Sequence, residues 1–312
     1  MRDGDAAIRV RSGFAHSAFI YDTDAAYAAM LVPFLIEGLT RDEAVAVAAA
    51  PDRIALLRDA LGADAAHIRF LSADGWYVRP VRTIAAWAQI LRSAAAAGRP
   101  SARLVSQADF ADQDPAWVRF EAAVNASLAG LNGHLLCPYD RRIPTAELAG
   151  RTHPVLHDDG WRDSSGYQAP ELVLRELIEP AYPVAGLPVI AAAVAEGVAG
   201  LRAQIRELAS AEHWLPPDRL EILILAFSEL ATNGIRHGGA NRELRIWLTP
   251  DAVVCELTDD GVTPPGPLAG YLPPDPAMIG GMGLWIVYQL CDSLTIHVQD
   301  GLTRARFALH RG

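Results

Sequence analysis

Apolar positions in the first half of the chain alternate between two rhythms. Residues 18–21 form a short apolar run that predicts a strand, and residues 22–37 carry apolar side chains at helical spacing up to Gly38, a helix-stopping position. Thr40-Arg41-Asp42-Glu43 has the spacing of a capping box, but the apolar run 44–49 after it also suits a buried strand; the pattern alone leaves both open. Pro51 opens the next helix, 68–71 reads as a strand, and a helix over 81–97 stops at Gly98. A strand at 104–105, a helix opened by Asp114-Pro115 and an apolar run at 135–137 follow. Such alternation predicts right-handed crossovers and a mostly parallel sheet.

Between 157 and 183 the texture changes. Asp, Gly, Ser and Pro mix without a period, and 171–179 reads as one short helix, so this stretch is expected to connect two domains. Beyond it the pattern predicts helices at 195–209 and 217–236, then a hairpin of strands 244–248 and 253–257 turned at 249–252. A helix at 284–291 and a second hairpin, 294–298 with 304–309, turned at Asp300-Gly301, complete it. Helices with consecutive hairpins predict an α+β sandwich. The expected boundaries are 1–158, a linker at 159–180, and 181–312.

Composition narrows the chemistry. With 312 residues, 51% of them hydrophobic, there is material for two cores. A net charge of -10 argues against direct nucleic-acid binding, which needs a basic face. Every basic side chain is Arg, since the chain contains no Lys; a Walker A phosphate loop and a eukaryotic-type protein kinase both need a Lys and are excluded. Cys137, Cys255 and Cys291 lie far apart with no CxxC, a pattern that reads as a reducing compartment with no zinc site and no disulfides. The first 14 residues lack the apolar core of a signal peptide, and the longest apolar stretch, 25–36, is too short to span a bilayer. The expectation is a soluble, cytoplasmic chain with no membrane partner.

Three clusters in the second half carry chemistry. Glu229 and Asn233 stand one turn apart on a helix whose other face is apolar, so both project from one stripe, with His237 a further turn on. An amide oxygen together with substrate phosphates suits Mg²⁺, and a carboxylate one turn away can accept a proton from an attacking hydroxyl. Asp259-Asp260-Gly261 follows a strand, where a carboxylate beside a Gly suits an exocyclic amine of a base. Gly280-Gly281-Met282-Gly283-Leu284 opens a helix, freeing N–H groups for phosphate. The Pro- and Gly-rich run 264–276 before it reads as a mobile lid.

In this order the three clusters resemble the N-box, D-x-G box and G-x-G-L box of the gyrase, histidine-kinase and MutL ATPase superfamily. ELATNGIRH and GGMGLWIV are most similar to its anti-sigma-factor serine-kinase branch. The resemblance covers 181–311 and implies ATP and Mg²⁺ as cofactors. It implies Glu229 as general base and Asn233 as the Mg²⁺ ligand, with Asp259 and Gly261 in the adenine pocket. Gly281, Gly283 and Leu284 would lie at the phosphates, with His237 nearby. The sequence departs from the pattern at Thr263, where a second Gly often stands, and at Gly301-Leu302-Thr303, where one residue is inserted.

The first half, through HSAFIYD, CPYD at 137–140 and THPVL at 152–156, resembles the sensory domain named after methanogen and methylotroph regulators (MEDS). That implies a RecA-like α/β fold without a phosphate loop, sensing a small molecule; His16, Cys137, Tyr139, Asp140 and His153 carry the match. Three functions follow from the pair of resemblances. One is an anti-sigma factor and serine/threonine kinase acting on an antagonist protein, with that antagonist or a sigma factor as partner and a homodimer as one open assembly. The second is a histidine-kinase-type ATPase acting in trans, because no His lies on a dimerisation helix and His157-Asp158 falls in the connector. The third is a non-catalytic, ATP-gated interaction module.

Overall fold

A computed structural model describes residues 13–107, 115–143, 146–194, 197–261, 265–272 and 282–311. The chain divides into two compact units, Met1–Ile178 and Glu179–Gly312.

The first unit is built on seven strands: β1 (Phe14–Tyr21), β2 (Ala44–Ala49), β3 (Arg69–Ser72), β4 (Ala102–Ser106), β5 (Gly133–Asp140), β6 (Val155–His157) and β7 (Trp161–Asp163). They form one sheet in the order β3-β2-β4-β5-β1-β6-β7. Every neighbouring pair is parallel except β6 with β7. Strands β2, β4 and β5 are buried almost throughout, as a central parallel strand covered on both faces must be. That covering settles 44–49 as a strand. The crossovers run through α1 (Asp24–Thr40), α2 (Pro51–Leu61), α3 (Ala73–Trp76), α4 (Pro80–Ala96) and α5 (Pro115–Ser127). After β5 come α6 (Ala146–Thr152) and α7 (Pro170–Glu176).

Two sequence expectations change here. Gly38 does not end α1 but lies inside it, because the helix needs close approach there. A Cβ at Gly38 would stand 2.9 Å from both Arg103 Cδ and Val45 Cγ2. The capping box is not used either: Thr40 ends α1 with its hydroxyl donating to the Ile36 carbonyl at 2.9 Å, and Glu43 pairs with the buried Arg103. The stretch read as a connector contributes β7 and α7 to the first unit. Val173 and Leu174 are buried, and Arg119 on α5 donates to the Leu174 and Leu177 carbonyls at 2.6 Å each. The helix expected at 171–179 forms as α7, whereas the three residues of β7, next to Gly160, carry too little alternation to be read as a strand.

The second unit is an antiparallel sheet of β8 (Ile190–Ala193), β9 (Arg242–Leu248), β10 (Ala252–Asp259), β11 (Ser293–Gln299) and β12 (Leu302–His310), ordered β11-β12-β10-β9-β8. Helices α8 (Ala199–Ala211), α9 (Pro217–His237) and α10 (Met282–Leu290) belong with it. Alternate residues Val253, Cys255 and Leu257 of β10 share a core with Leu223, Phe227 and Leu230 of α9 and Ile205 of α8. The other sheet face is smaller, with Trp247, Val254 and Ala308 packed against Tyr182 and Val184. Both predicted hairpins form, the second with Asp300 at φ 54° and Gly301 at φ 75°, the positive dihedrals of a tight primed turn. The expected helix 195–209 starts at Ala199; residues 195–196 lie outside the described residues.

Candidate functional site

The C-terminal end of α9, the end of β10 and the start of α10 surround a pocket of about 720 Å³. Helix α9 starts at Pro217, whose fixed φ and missing N–H suit the first turn. Its apolar stripe, Leu220, Leu223, Phe227 and Leu230, is buried against the sheet. That burial fixes the helix roll, and with it the direction of the polar stripe Glu229, Asn233 and His237. Asn233 and His237 line the pocket. Glu229, one turn before Asn233, is not among the residues that line the pocket; it is lodged against α10, where a Cβ on Gly283 would fall on its carboxylate. The first turn of α10 can approach α9 this closely only because Gly283 has no side chain. Leu284, the next residue, lines the pocket.

Asp259, which also lines the pocket, ends β10 beside the last turn of α9. Its Oδ1 accepts the N–H of Gly239 at 2.9 Å and of Gly261 at 2.8 Å, so the carboxylate is held by two backbone donors from either side. The chain after α9 packs tightly on this turn; a Cβ on Gly238 would lie 2.7 Å from Asp259 Cγ, and one on Gly239 would fall on Asp260. The neighbouring Asp260 has a different task. It accepts from the Asn241 backbone N–H at 3.0 Å and from the Asn241 amide at 2.7 Å, and those bonds hold its carboxyl below the usual range. Thr303, at the start of β12, lines the pocket and donates its hydroxyl to the Gly261 carbonyl. The inserted residue at 301–303 therefore leaves Thr303 at the site.

The pocket walls between these polar ends are apolar: Leu230, Leu257, Leu268, Ile296 and Ala305 among them. Sequence reasoning passed over Arg242, which also lines the pocket and donates to the Gly239 carbonyl at 2.6 Å, because nothing marks one Arg among many on a strand. Gly281 and Thr263 lie outside the described residues, as do 264 and 273–276 of the expected lid. The rest of that stretch, 265–272, lies at the pocket and is anchored. Tyr271 is buried, its ring centroid is 5.7 Å from that of Tyr288, and a Cβ on Gly270 would fall on the Tyr288 ring.

The first unit assembles a second constellation on the α5 face of its sheet. His16 on β1, Cys137 on β5 and His153 after α6 meet around Glu121 of α5, and all four are buried. Sequence alone had singled out three of these; Glu121 was missed, an acid on a helix being unremarkable without its partners. His16 Nε2 lies 3.4 Å from Cys137 Sγ and 3.5 Å from Glu121 Oε2, and His153 Nε2 lies 3.4 Å from the same oxygen. Burial pushes the Cys137 thiol and the Tyr139 hydroxyl well up. It pushes His16 down to about 4, with His153 adding to the effect. Tyr139 borders the cluster, its ring edge-on to His153 with centroids 5.5 Å apart. Asp140 does not join: its carboxylate takes the Arg142 backbone N–H and guanidinium, which depress its pKa.

A parallel-sheet unit with a closed polar cluster, and an antiparallel sandwich with a half-apolar pocket, are the parts of a regulatory ATP-binding protein. Comparison with known families agrees. Residues 15–154 match MEDS, the methanogen/methylotroph DcmR sensory domain, and residues 191–308 match the histidine kinase-like ATPase domain. The chain carries an N-terminal MEDS domain and a C-terminal histidine kinase-like ATPase domain. No curated protein matches it. Among the described residues no helix is long and apolar enough to cross a membrane.

Proposed function

We propose that the chain is a cytoplasmic regulator whose C-terminal domain binds MgATP and phosphorylates a serine or threonine of a small antagonist protein. A small molecule at the N-terminal domain controls that reaction, and a sigma factor is the other partner. The observation that carries this reading is the placement of Glu229 against Gly283, while Asn233 lines the pocket one turn away. A base against the first turn of the nine-residue helix α10 thus stands one helical turn from an amide in the pocket wall, and Asp259 lines the same pocket.

The residues fit the nucleotide. Asp259 keeps Oδ2 for an amine donor because Oδ1 is already committed to Gly239 and Gly261. The start of α10 presents backbone N–H groups where anionic phosphate is favoured. Asn233 would hold Mg²⁺, which when bound neutralises charge on the phosphates. The partner's hydroxyl oxygen attacks the γ-phosphorus, the bond to the ADP oxygen breaks, and Glu229 takes the hydroxyl proton.

The alternative of phosphorylating a histidine of this chain finds no support at His157. That residue lies on β6 rather than on a helix, and its ring is packed between Phe19 and Trp161 with centroids 5.6 and 4.9 Å away. The test is phosphotransfer from γ-labelled ATP with Mg²⁺ to candidate antagonist proteins, followed by an acid wash. Acid-stable label that disappears in Glu229→Ala, with ATP binding kept, is the expected result. Acid-labile label, or transfer unchanged in Glu229→Ala, would overturn it.

A further inference from the structure

We propose that the N-terminal unit holds a divalent transition-metal ion of the zinc class, coordinated by His16 Nε2, Glu121 Oε2, Cys137 Sγ and His153 Nε2.

The first argument is geometric. These four ligand atoms all lie within 4.8 Å of one another. Four of their separations are 3.4, 3.4, 3.5 and 3.9 Å. A tetrahedral zinc site with bonds of about 2.0–2.3 Å has edges of about 3.3–3.8 Å. The side chains therefore stand near a tetrahedron's corners without repacking, although His16 and Cys137 are 121 residues apart.

The second argument is the direction of the lone pairs. Asn125 donates its amide NH₂ to the Thr152 carbonyl at 2.8 Å, which turns its oxygen toward His16 Nδ1 at 3.2 Å and makes that nitrogen the N–H donor. His153 Nδ1 lies 3.1 Å from the Ala149 carbonyl oxygen, which can only accept. Each ring is thus oriented by a second partner in the way metal-bound histidines are, leaving both Nε2 lone pairs aimed at one carboxylate oxygen. His153 is completely buried, and its Nε2 has no well-formed hydrogen bond among the described residues. Two lone pairs directed at a third repel one another, and a cation between them turns the repulsion into three bonds.

The third argument is charge. Two neutral imidazoles, one carboxylate and one thiolate sum to minus two, so a divalent ion makes the buried site neutral, whereas Glu121 alone would be a buried charge. A metal takes cysteine as its thiolate, so uptake of the ion at Cys137 releases a proton. With four protein ligands the site is closed, which suits a structural ion tying β1, β5, α5 and the chain after α6 together.

The experiment uses the full-length chain, stripped by chelation and titrated with Co²⁺. The expected result is the intense visible absorption of four-coordinate cobalt, with a thiolate-to-cobalt charge-transfer band saturating at one ion per chain and displaced by Zn²⁺. In Cys137→Ser the charge-transfer band should vanish, and Glu121→Gln, which changes a direct ligand, should weaken binding by more than the roughly 10- to 100-fold that loss of an outer-shell partner costs. Circular dichroism of each variant shows whether it has folded; if one has not, the wild-type titration and the zinc content of the protein as purified decide. No band at one equivalent, or a band that persists in Cys137→Ser and so comes from Cys255 or Cys291, would overturn the proposal.

Discussion

Asp259→Asn separates the two duties of one carboxylate. In the native chain Oδ1 accepts two backbone N–H groups, from Gly239 and Gly261, and the residue lines the pocket. Asparagine is nearly isosteric and keeps an acceptor for both glycine donors, so the turn after β10 should survive with stability within ~1 kcal/mol of wild type. What changes is the second oxygen, which becomes an NH₂ facing the adenine amine, donor against donor. A hydrogen bond to a charged group contributes about 1.5–3 kcal/mol, so ATP affinity should fall about 10- to 150-fold. GTP, which presents an acceptor at the same position, should lose much less. Asp259→Ala, by contrast, strips both backbone donors of their acceptor and should lower thermal stability as well as affinity. Isothermal titration with ATP and GTP, beside a thermal melt of each variant, reads all of this. If Asp259→Asn binds ATP as wild type does, or loses ATP and GTP alike while melting early, the carboxylate is a turn residue and the assignment fails.

Other perturbations probe the rest of the molecule. Gly283→Ala should push the Glu229 carboxylate aside by about 1 Å and cost roughly 100-fold in phosphotransfer rate, while the added helix propensity leaves stability equal or slightly higher; an unchanged rate would remove Glu229 from the reaction. Glu43→Ala removes the buried one of the two carboxylates on Arg103, which is 4% exposed, and should destabilise the first unit by about 3 kcal/mol in urea unfolding; an unchanged midpoint would show that Glu37 alone satisfies the guanidinium. His134 is pushed down to about 3 by burial and by the Arg103 charge, so the folded chain keeps it neutral where the unfolded chain, near 6.5, protonates it. Its contribution is whole above pH 6.5 and is lost as pH falls toward 3, at about 1.4 kcal/mol per pH unit. Urea titrations at pH 4.5, 5.5 and 6.5 should show a shallower slope in His134→Asn, and an equal slope would refute this.

The second unit was more legible in the sequence than the first, for a physical reason. Its polar motifs are each local in the chain, such as Glu229 and Asn233 on one helical stripe, and Asp259 beside Gly261 at a strand end. Local spacing reports local geometry, so those groups could be placed before the fold was known. Strand β8 escaped notice because Ile190 and three alanines give no alternation, and its pairing to β9 is made by the backbone. In the first unit four of the seven strands and most helices followed from periodicity; 44–49 stayed open between helix and strand, β6 and β7 went unread, and Gly38 misled. Its role is close packing under Arg103 and Val45, which only the folded neighbours reveal. The cluster around Glu121 was invisible as a cluster for a similar reason. Parallel crossovers bring β1, β5 and α5 together from widely separated stretches, so no spacing rule for metal ligands applies to them.

The central claim is that the pocket between α9, β10 and α10 takes MgATP. The most direct test is calorimetric titration of the full-length chain with a non-hydrolysable ATP analogue, with and without Mg²⁺, in wild type and Asn233→Ala. The account predicts one site per chain, tighter with Mg²⁺, with the Mg²⁺ dependence lost in Asn233→Ala. Absence of binding in wild type, or a Mg²⁺ dependence untouched by the substitution, would contradict it.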